Sequence, residues 1–412
     1  DKVVVLLKSP AITINSSTLT NFSTCAGIES SSQSVSIQGI NLGSTGITVT
    51  APSNYEISLS SNSNFGQSLT LAQTNGSVPS TTIFIRLKST ASVGTATVNL
   101  TAVSGSNSSN LALTGTVTDT YTWTGATSTD PTVASNWNPA AVPCSGANEV
   151  IPSGLTNYPA YTNLTIDAGT TLTVQSGAKL DISGVLTNNG TLTIESGATL
   201  VQGASSTLAG SGTYNVKQTI TGAGSTTPTG RFWYLGSPVS LASSSVYFGN
   251  AANVVKKRDE STNAWITVAS GTPENLVVGK GYYTQAMANS TITFTGGVVN
   301  NGAITINGLS RTAGQGFEGF NLVSNPYPSY LNWDAVTKTN VDGTIWYRTH
   351  DGSNMVFDTY VANAAGGIGT NLSGNTATKY IPPMQSFWVR VSQGQTTGSL
   401  TLGNAMRSHF AS

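Results

Sequence analysis

The chain reads as all-β: an immunoglobulin-like sandwich, a short β-solenoid, and then a duplicated β-sandwich pair. Three observations predict this. Apolar residues alternate with Thr, Ser or Asn in runs bounded by Gly, Asn-Gly or Pro, as in Thr82-Ile83-Phe84-Ile85-Arg86-Leu87 and Thr95-Ala96-Thr97-Val98-Asn99-Leu100. That is the period-2 pattern of strands with one face buried. A central segment repeats itself at a spacing of about 20 residues, the mark of stacked coils. The C-terminal part contains two versions of one pattern. Helical periodicity is almost absent.

Composition narrows the function classes. Of 412 residues only 8% are charged, 17 basic and 17 acidic, against about 25% in an ordinary soluble domain. Ser and Thr together number 114, and Gly adds 44. With no basic excess, nucleic-acid binding is excluded, and no like-charge block suggests a polybasic membrane anchor. No apolar run reaches the roughly 18 residues of a membrane span, so no membrane insertion is expected. At 38% hydrophobic residues the chain buries enough apolar surface to fold. What remains is a charge-poor, Thr/Ser/Gly-rich β-protein of the kind found on extracellular surfaces.

Three regions follow. Residues 1–118 hold strand patterns about ten residues apart, with turn signals at Asn41-Leu42-Gly43, Pro52-Ser53-Asn54 and Asn75-Gly76, which suggests the sandwich. Residues 119–220 are the solenoid with an N-terminal cap. Leu172, Val174, Gly177 and Leu180 recur as Leu192, Ile194, Gly197 and Leu200. About three coils fit before Tyr214, so neighbours must cap them. Asn188-Asn189-Gly190 is read as a corner that exploits positive φ. Residues 221–230 have linker composition. Region 229–412 divides into halves of about 229–310 and 311–412. Arg231-Phe-Trp-Tyr-Leu-Gly-Ser-Pro238 parallels Gly319-Phe-Asn-Leu-Val-Ser-Asn-Pro326, and Val278-Gly-Lys-Gly-Tyr-Tyr283 parallels Pro383-Met-Gln-Ser-Phe-Trp388.

Several of these motifs carry a resemblance. Ile47-Thr-Val-Thr-Ala-Pro-Ser-Asn-Tyr-Glu-Ile-Ser58 followed by Thr82 to Lys88 looks like a module repeated in large surface proteins of Bacteroidota. The spacing of Tyr121-Thr-Trp-Thr-Gly125, Asn136-Trp-Asn138 and Val150-Ile-Pro152 is similar to segments that precede a solenoid in the same proteins. Asn321-Leu-Val-Ser-Asn-Pro-Tyr-Pro-Ser329, Asn332-Trp-Asp334 and Tyr380-Ile-Pro-Pro383 resemble the region before the sorting domain of type IX secretion cargo. Gln385-Ser-Phe-Trp388 stands where that group has Gln-Gly-Phe-Phe. The resemblance implies export by type IX secretion and a role in adhesion or gliding. It also implies partnership with the translocon and outer-membrane shuttle proteins through a C-terminal domain missing after Ser412. The start at Asp1, strand-like from Val3 to Leu7, suggests a mature or truncated segment.

Catalytic chemistry finds little material. His350 and His409 are the two histidines. His350 is read as a solvated turn residue and His409 as an exposed tail, so catalytic residues are expected to be none. Paired glycosidase carboxylates would have to come from Asp334, Asp342, Asp351 and Asp358, where Asp-Gly steps read as hairpin turns. A calcium ion, the one cofactor considered, would draw on Asp342, Asp351 and Asn354, because hard cations take loop oxygens. Cys25 and Cys144 either form one bridge or stand as two buried thiols. Lys256-Lys-Arg-Asp-Glu260, the densest charge, reads as a solvated loop, with a docking patch as the sharper alternative. Aromatics gather at Trp333 and in adjacent pairs such as Trp346-Tyr347 and Phe387-Trp388, which on a strand turn one ring outward. They read as core and sandwich-to-sandwich interface, with Trp333, Tyr347 and Trp388 as glycan-stacking candidates in the sharper alternative. The expected function is a non-enzymatic extracellular adhesin or stalk segment. The alternatives are a carbohydrate-binding, non-catalytic part of a secreted polysaccharide-degrading enzyme, or a fibre-forming subunit.

Overall fold

A computed structural model describes residues 9–222, 231–248, 252–286, 288–351, 354–362 and 366–409. The strand expected at Val3–Leu7, most of the 221–230 linker and the side chain of His350 lie outside the described residues. The described chain is all-β, its helical content being single 3₁₀ turns. It falls into two compact units: the residues up to Tyr121 together with Cys144–Asn148, and the remainder.

The first unit is a two-sheet sandwich. One sheet runs Ala11–Ile14, Gln33–Ile40, Val78–Leu87, Tyr55–Ser58. The other runs Thr18–Cys25, Asn107–Thr118, Gly94–Ser104, Ile47–Thr50, Ser68–Leu71. The alternation sends Ile37, Ile83, Ile85, Leu100, Leu111 and Leu113 wholly inside. On the opposite face, Thr95 meets Thr116 and Thr97 meets Thr114 through hydroxyl contacts of 2.8 and 2.9 Å. Thr therefore does on the wet face what charged residues usually do, filling a β-branched position while staying hydrated. Cys25 and Cys144 form a disulfide with their Cα atoms 6.7 Å apart, which resolves the alternative left open by the sequence.

The second unit opens with the solenoid, whose coils stack three parallel sheets. Its registers follow the sequence repeat. Leu172 pairs with Leu192 and Val174 with Ile194, and Leu180 pairs with Leu200. A buried ladder of Ile151, Val174, Ile194 and Val216 runs up one sheet. The Asn188 corner works differently from the sequence reading. Gly190 does not have a positive φ; it is needed because a Cβ there would sit 2.3 Å from the Asp167 carbonyl and 2.4 Å from that of Thr170. Asn188 is fully buried and donates to Thr213 O at 2.9 Å, closing one coil onto the next.

Beyond the solenoid the duplication becomes visible as topology. The first half orders its sheet Arg231–Leu235, Tyr282–Ala286, Ala252–Asp259, Ala264–Val268. The second orders Phe320–Ser324, Ser386–Arg390, Thr344–His350, Met355–Val361, with Ile368–Gly369 added. Registers coincide as well: Leu235 pairs with Tyr282 as Val323 does with Phe387, and Tyr234 with Tyr283 as Leu322 does with Trp388. The halves bond reciprocally. Gly236 N donates to Met384 O, and its counterpart Ser324 N donates to Gly279 O, both at 2.8 Å. This is a local two-fold relation within one chain.

The halves differ at one place. Thr397–Leu402 closes the second half against Ile304–Ser310. The matching strand of the first half, Ser290–Phe294, pairs instead with Thr213–Ile220, the last solenoid strand. That strand belongs to both structures. The solenoid thereby gains the cap its length demands. A second clamp comes from the chain end. Arg407, buried, donates to Gln202 Oε1 and Leu200 O in the coils and to Ser329 and Asn404 outside them, at 2.7–3.0 Å. His409 is not an exposed tail: its Nε2 lies 2.9 Å from Asp181 Oδ1 and its Nδ1 2.7 Å from Thr199 Oγ1.

Candidate functional site

Strand alternation explains where the paired aromatics go. Phe387 and Tyr282 point into the cores, 1% and 0% exposed, while their neighbours Trp388 and Tyr283 face the other way. Trp346 and Tyr347 divide in the same manner. The outward faces of the two halves meet, and Phe232, Tyr234, Trp265, Tyr283, Phe320, Leu322, Trp346 and Trp388 form one cluster drawn from both. Trp265 stands edge-on to Trp388 with ring centres 5.8 Å apart, and Phe320 edge-on to Trp346 at 5.0 Å.

A cleft of about 730 Å³ opens on this cluster. Trp265, Trp346, Trp388 and Phe320 wall it. Phe317 and Phe357, 76% and 44% exposed, stand among its lining residues together with Met355. The polar lining is Arg258, Arg348, Asn263 and Thr359. Trp388 Nε1 is buried and has no hydrogen-bond partner among the described residues. Phe317 holds a φ of +63°, a conformation that costs a bulky residue energy and persists where surrounding structure enforces it. What enforces it is a short loop pinned at both ends.

The pin is Glu260. Its carboxylate accepts from Gly319 N at 2.8 Å, Thr312 N and Ser310 Oγ at 2.9 Å, and Thr312 Oγ1 at 3.0 Å. Burial alone would raise the Glu260 carboxyl, but the bonds from Gly319, Thr312 and Ser310 outweigh it and hold the group below its ordinary value. Arg311 pairs with Glu318 at 3.0 Å inside the same loop. The charged pentapeptide is thus no solvated loop. Four of its residues lie in the strand Ala252–Asp259. Lys257 pairs with Glu274 at 2.7 Å, Arg258 lines the cleft, and Asp259 caps the turn at Ser261 and Thr262.

Of the three glycan candidates, one is at this cleft. Trp388 walls it. Trp333 is wholly buried, donating from Nε1 to Gly343 O at 2.7 Å, so it cannot stack on a ligand. Tyr347 packs against the core of the second half, and burial pushes its unpartnered hydroxyl well above the phenol range. Of the calcium candidates, Asp351 and Asn354 share one turn, and Asp342 is not brought to them. Asp342 precedes the strand Thr344–His350 and Asp351 follows it, about 3.3 Å of rise per residue apart, too far to share an ion. Asp342 accepts from Ser392 Oγ at 2.6 Å. Asp351 accepts from Asn354 N at 2.6 Å in the hairpin turn. Among the described residues no three His, Cys, Asp or Glu side chains gather as a metal-binding group. Asp334 bonds Tyr360 Oη at 3.0 Å, and Asp358 is buried beneath the 370–373 loop.

Sequence reasoning missed Arg348, Trp265 and Phe317, and reached Arg258 only as part of the charged pentapeptide, in its docking-patch alternative. The duplication contained the signal for the arginines. Arg258 faces Trp265 across its hairpin as Arg348 faces Phe357, so the two are counterparts.

Fold and cleft together define an all-β protein in which a solenoid runs into a duplicated sheet pair with an aromatic cleft between the halves. Residues 122–412 match the family described as a domain of unknown function, DUF8693, and the chain belongs to that family. No curated protein matches the chain.

Proposed function

We propose that this chain is a non-enzymatic, glycan-binding segment of an extracellular cell-surface protein, adhesin-like in role and exported by the type IX route that its sequence resemblance implies. One observation carries the reading: the cleft of about 730 Å³ walled by three tryptophans and a phenylalanine, with Phe317 and Phe357 presented to solvent. Flat aromatic faces beside a few polar groups suit the apolar faces of sugar rings. An exposed Phe held at positive φ by a buried carboxylate is a costly arrangement for a surface without a partner. The same cleft would serve a carbohydrate-binding, non-catalytic part of a polysaccharide-degrading enzyme.

The test is adhesion of protein-coated beads to polysaccharide films, with release of reducing ends followed in parallel. Adhesion lost in the double variant Phe317→Ala/Phe357→Ala, without sugar release, supports the reading. Equal adhesion by variant and parent refutes the cleft as the contact, and sugar release refutes the non-enzymatic part. Concentration-dependent growth in sedimentation would favour a fibre subunit instead.

A further inference from the structure

Two guanidinium groups stand among the rings of the cleft, at positions that the duplication makes equivalent. In a chain with 17 basic residues in 412, the two charged groups lining one aromatic cleft are both arginines, and among the described residues no Asp or Glu lines it. Arg258 donates to Asn263 Oδ1, and the Arg348 charge acts on the Tyr234 hydroxyl, against the upward push of burial. Among the described residues, neither lies within ion-pair distance of a carboxylate. The acids nearest Arg258 in sequence are already engaged, Asp259 with Ser261 and Thr262, and Glu260 with Ser310, Thr312 and Gly319. Each guanidinium carries five N–H donors in a planar fork; that of Arg348 is exposed at the cleft, and that of Arg258 is largely buried in its lining.

We propose that the cleft takes an acidic saccharide, a glycan bearing carboxylate or sulfate groups. Arg348 and Arg258 hold the anion, and Trp265, Trp388, Phe317 and Phe357 pack on the sugar faces. Forked guanidinium donors match a carboxylate or sulfate in geometry and charge, and the apolar walls lower the local dielectric and strengthen the contact. The proposal rests on the glycan reading above and narrows it to one ligand charge. It also predicts salt sensitivity at the cleft, although the rest of the surface carries little charge.

The experiment measures calorimetric binding of oligogalacturonate, a sulfated dextran oligosaccharide and a neutral cello-oligosaccharide to the full chain. The proteins compared are the parent, Arg348→Gln and Phe357→Ala. Arg348 is exposed, so Arg348→Gln should fold, which circular dichroism checks. The expected result is binding of one or both acidic ligands that weakens with added salt. It should fall roughly tenfold or more in Arg348→Gln, the scale of one lost charge-assisted contact. The carboxylate and sulfate arms show which anion is preferred. Neutral and acidic ligands binding equally, or Arg348→Gln binding as the parent does, overturns the acidic specificity while the glycan reading survives through Phe357→Ala. Binding of none of the three overturns both.

Discussion

Glu260 offers the sharpest perturbation because one carboxylate holds the loop that carries Phe317. Its four hydrogen bonds divide by donor type. Two come from backbone N–H groups, Thr312 and Gly319, and two from hydroxyls, Ser310 and Thr312. In Glu260→Gln the remaining amide oxygen can keep the backbone donors, and the hydroxyls can rotate to accept from the new NH₂. The loss is then mainly charge assistance, about 1–2 kcal/mol. In Glu260→Ala two backbone donors lose their acceptor, and each unpaired group costs about 1–3 kcal/mol, so about 2–6 kcal/mol is expected. The pH dependence has a definite sign. Hydrogen bonding holds the Glu260 carboxyl below its ordinary value, so its stabilisation is complete above the unfolded-state pKa of about 4.3. It is lost as pH falls through the lower folded value. Urea unfolding followed by tryptophan fluorescence, at neutral pH and at successively lower pH, reads both effects. Glu260→Gln should show a flatter acid limb than the parent. A Glu260→Ala midpoint within about 0.5 kcal/mol of the parent, or an unchanged acid limb in Glu260→Gln, would refute the pinning argument.

Three further outcomes are expected. Removing the Cys25–Cys144 bridge, which closes a loop of 119 residues, should destabilise the first unit by about 2–5 kcal/mol; calorimetry of Cys25→Ser/Cys144→Ser beside the oxidised parent checks this. Arg407→Met should cost about 3 kcal/mol in urea unfolding of the second unit. It relieves a buried charge that faces only neutral acceptors but leaves Gln202, Leu200, Ser329 and Asn404 without their donor. Gly190→Ala should lower stability by about 1–3 kcal/mol through backbone displacement, since its Cβ would overlap two carbonyl oxygens. A melting temperature unchanged from the parent would show that the coil can yield there.

Local periodicity made much of the fold legible. Alternation located the strands, and the spacing of Leu172 and Leu192 gave the coil register that the structure displays. The paralleled segments foretold two sheets of one topology. The sequence could not show which surfaces those sheets present to each other. Trp333 and Trp388 look alike as tryptophans on β-rich segments, yet Trp333 is sealed in the core of its own half and Trp388 reaches the cleft. The charged pentapeptide looked like a loop because charge on a strand is unusual in a chain this poor in it. Its carboxylate is buried only because loop 311–319, about fifty residues later, wraps around it. The calcium trio failed for a simpler reason: sequence proximity along an extended strand means spatial distance, about 3.3 Å per residue.

The reciprocal bonds from Gly236 to Met384 and from Ser324 to Gly279 have the form of an isologous dimer contact, in which each partner gives and receives the same bond. Two identical subunits would be obliged to furnish matching walls around any groove on their axis. Covalent linkage removes that obligation. Here Lys256 occupies the place of Trp346, and Tyr283 that of Trp388, so the paired halves are no longer interchangeable. A polymeric ligand has two distinct ends, and a groove with unlike walls can tell one direction of such a chain from the other. A symmetric homodimer could not.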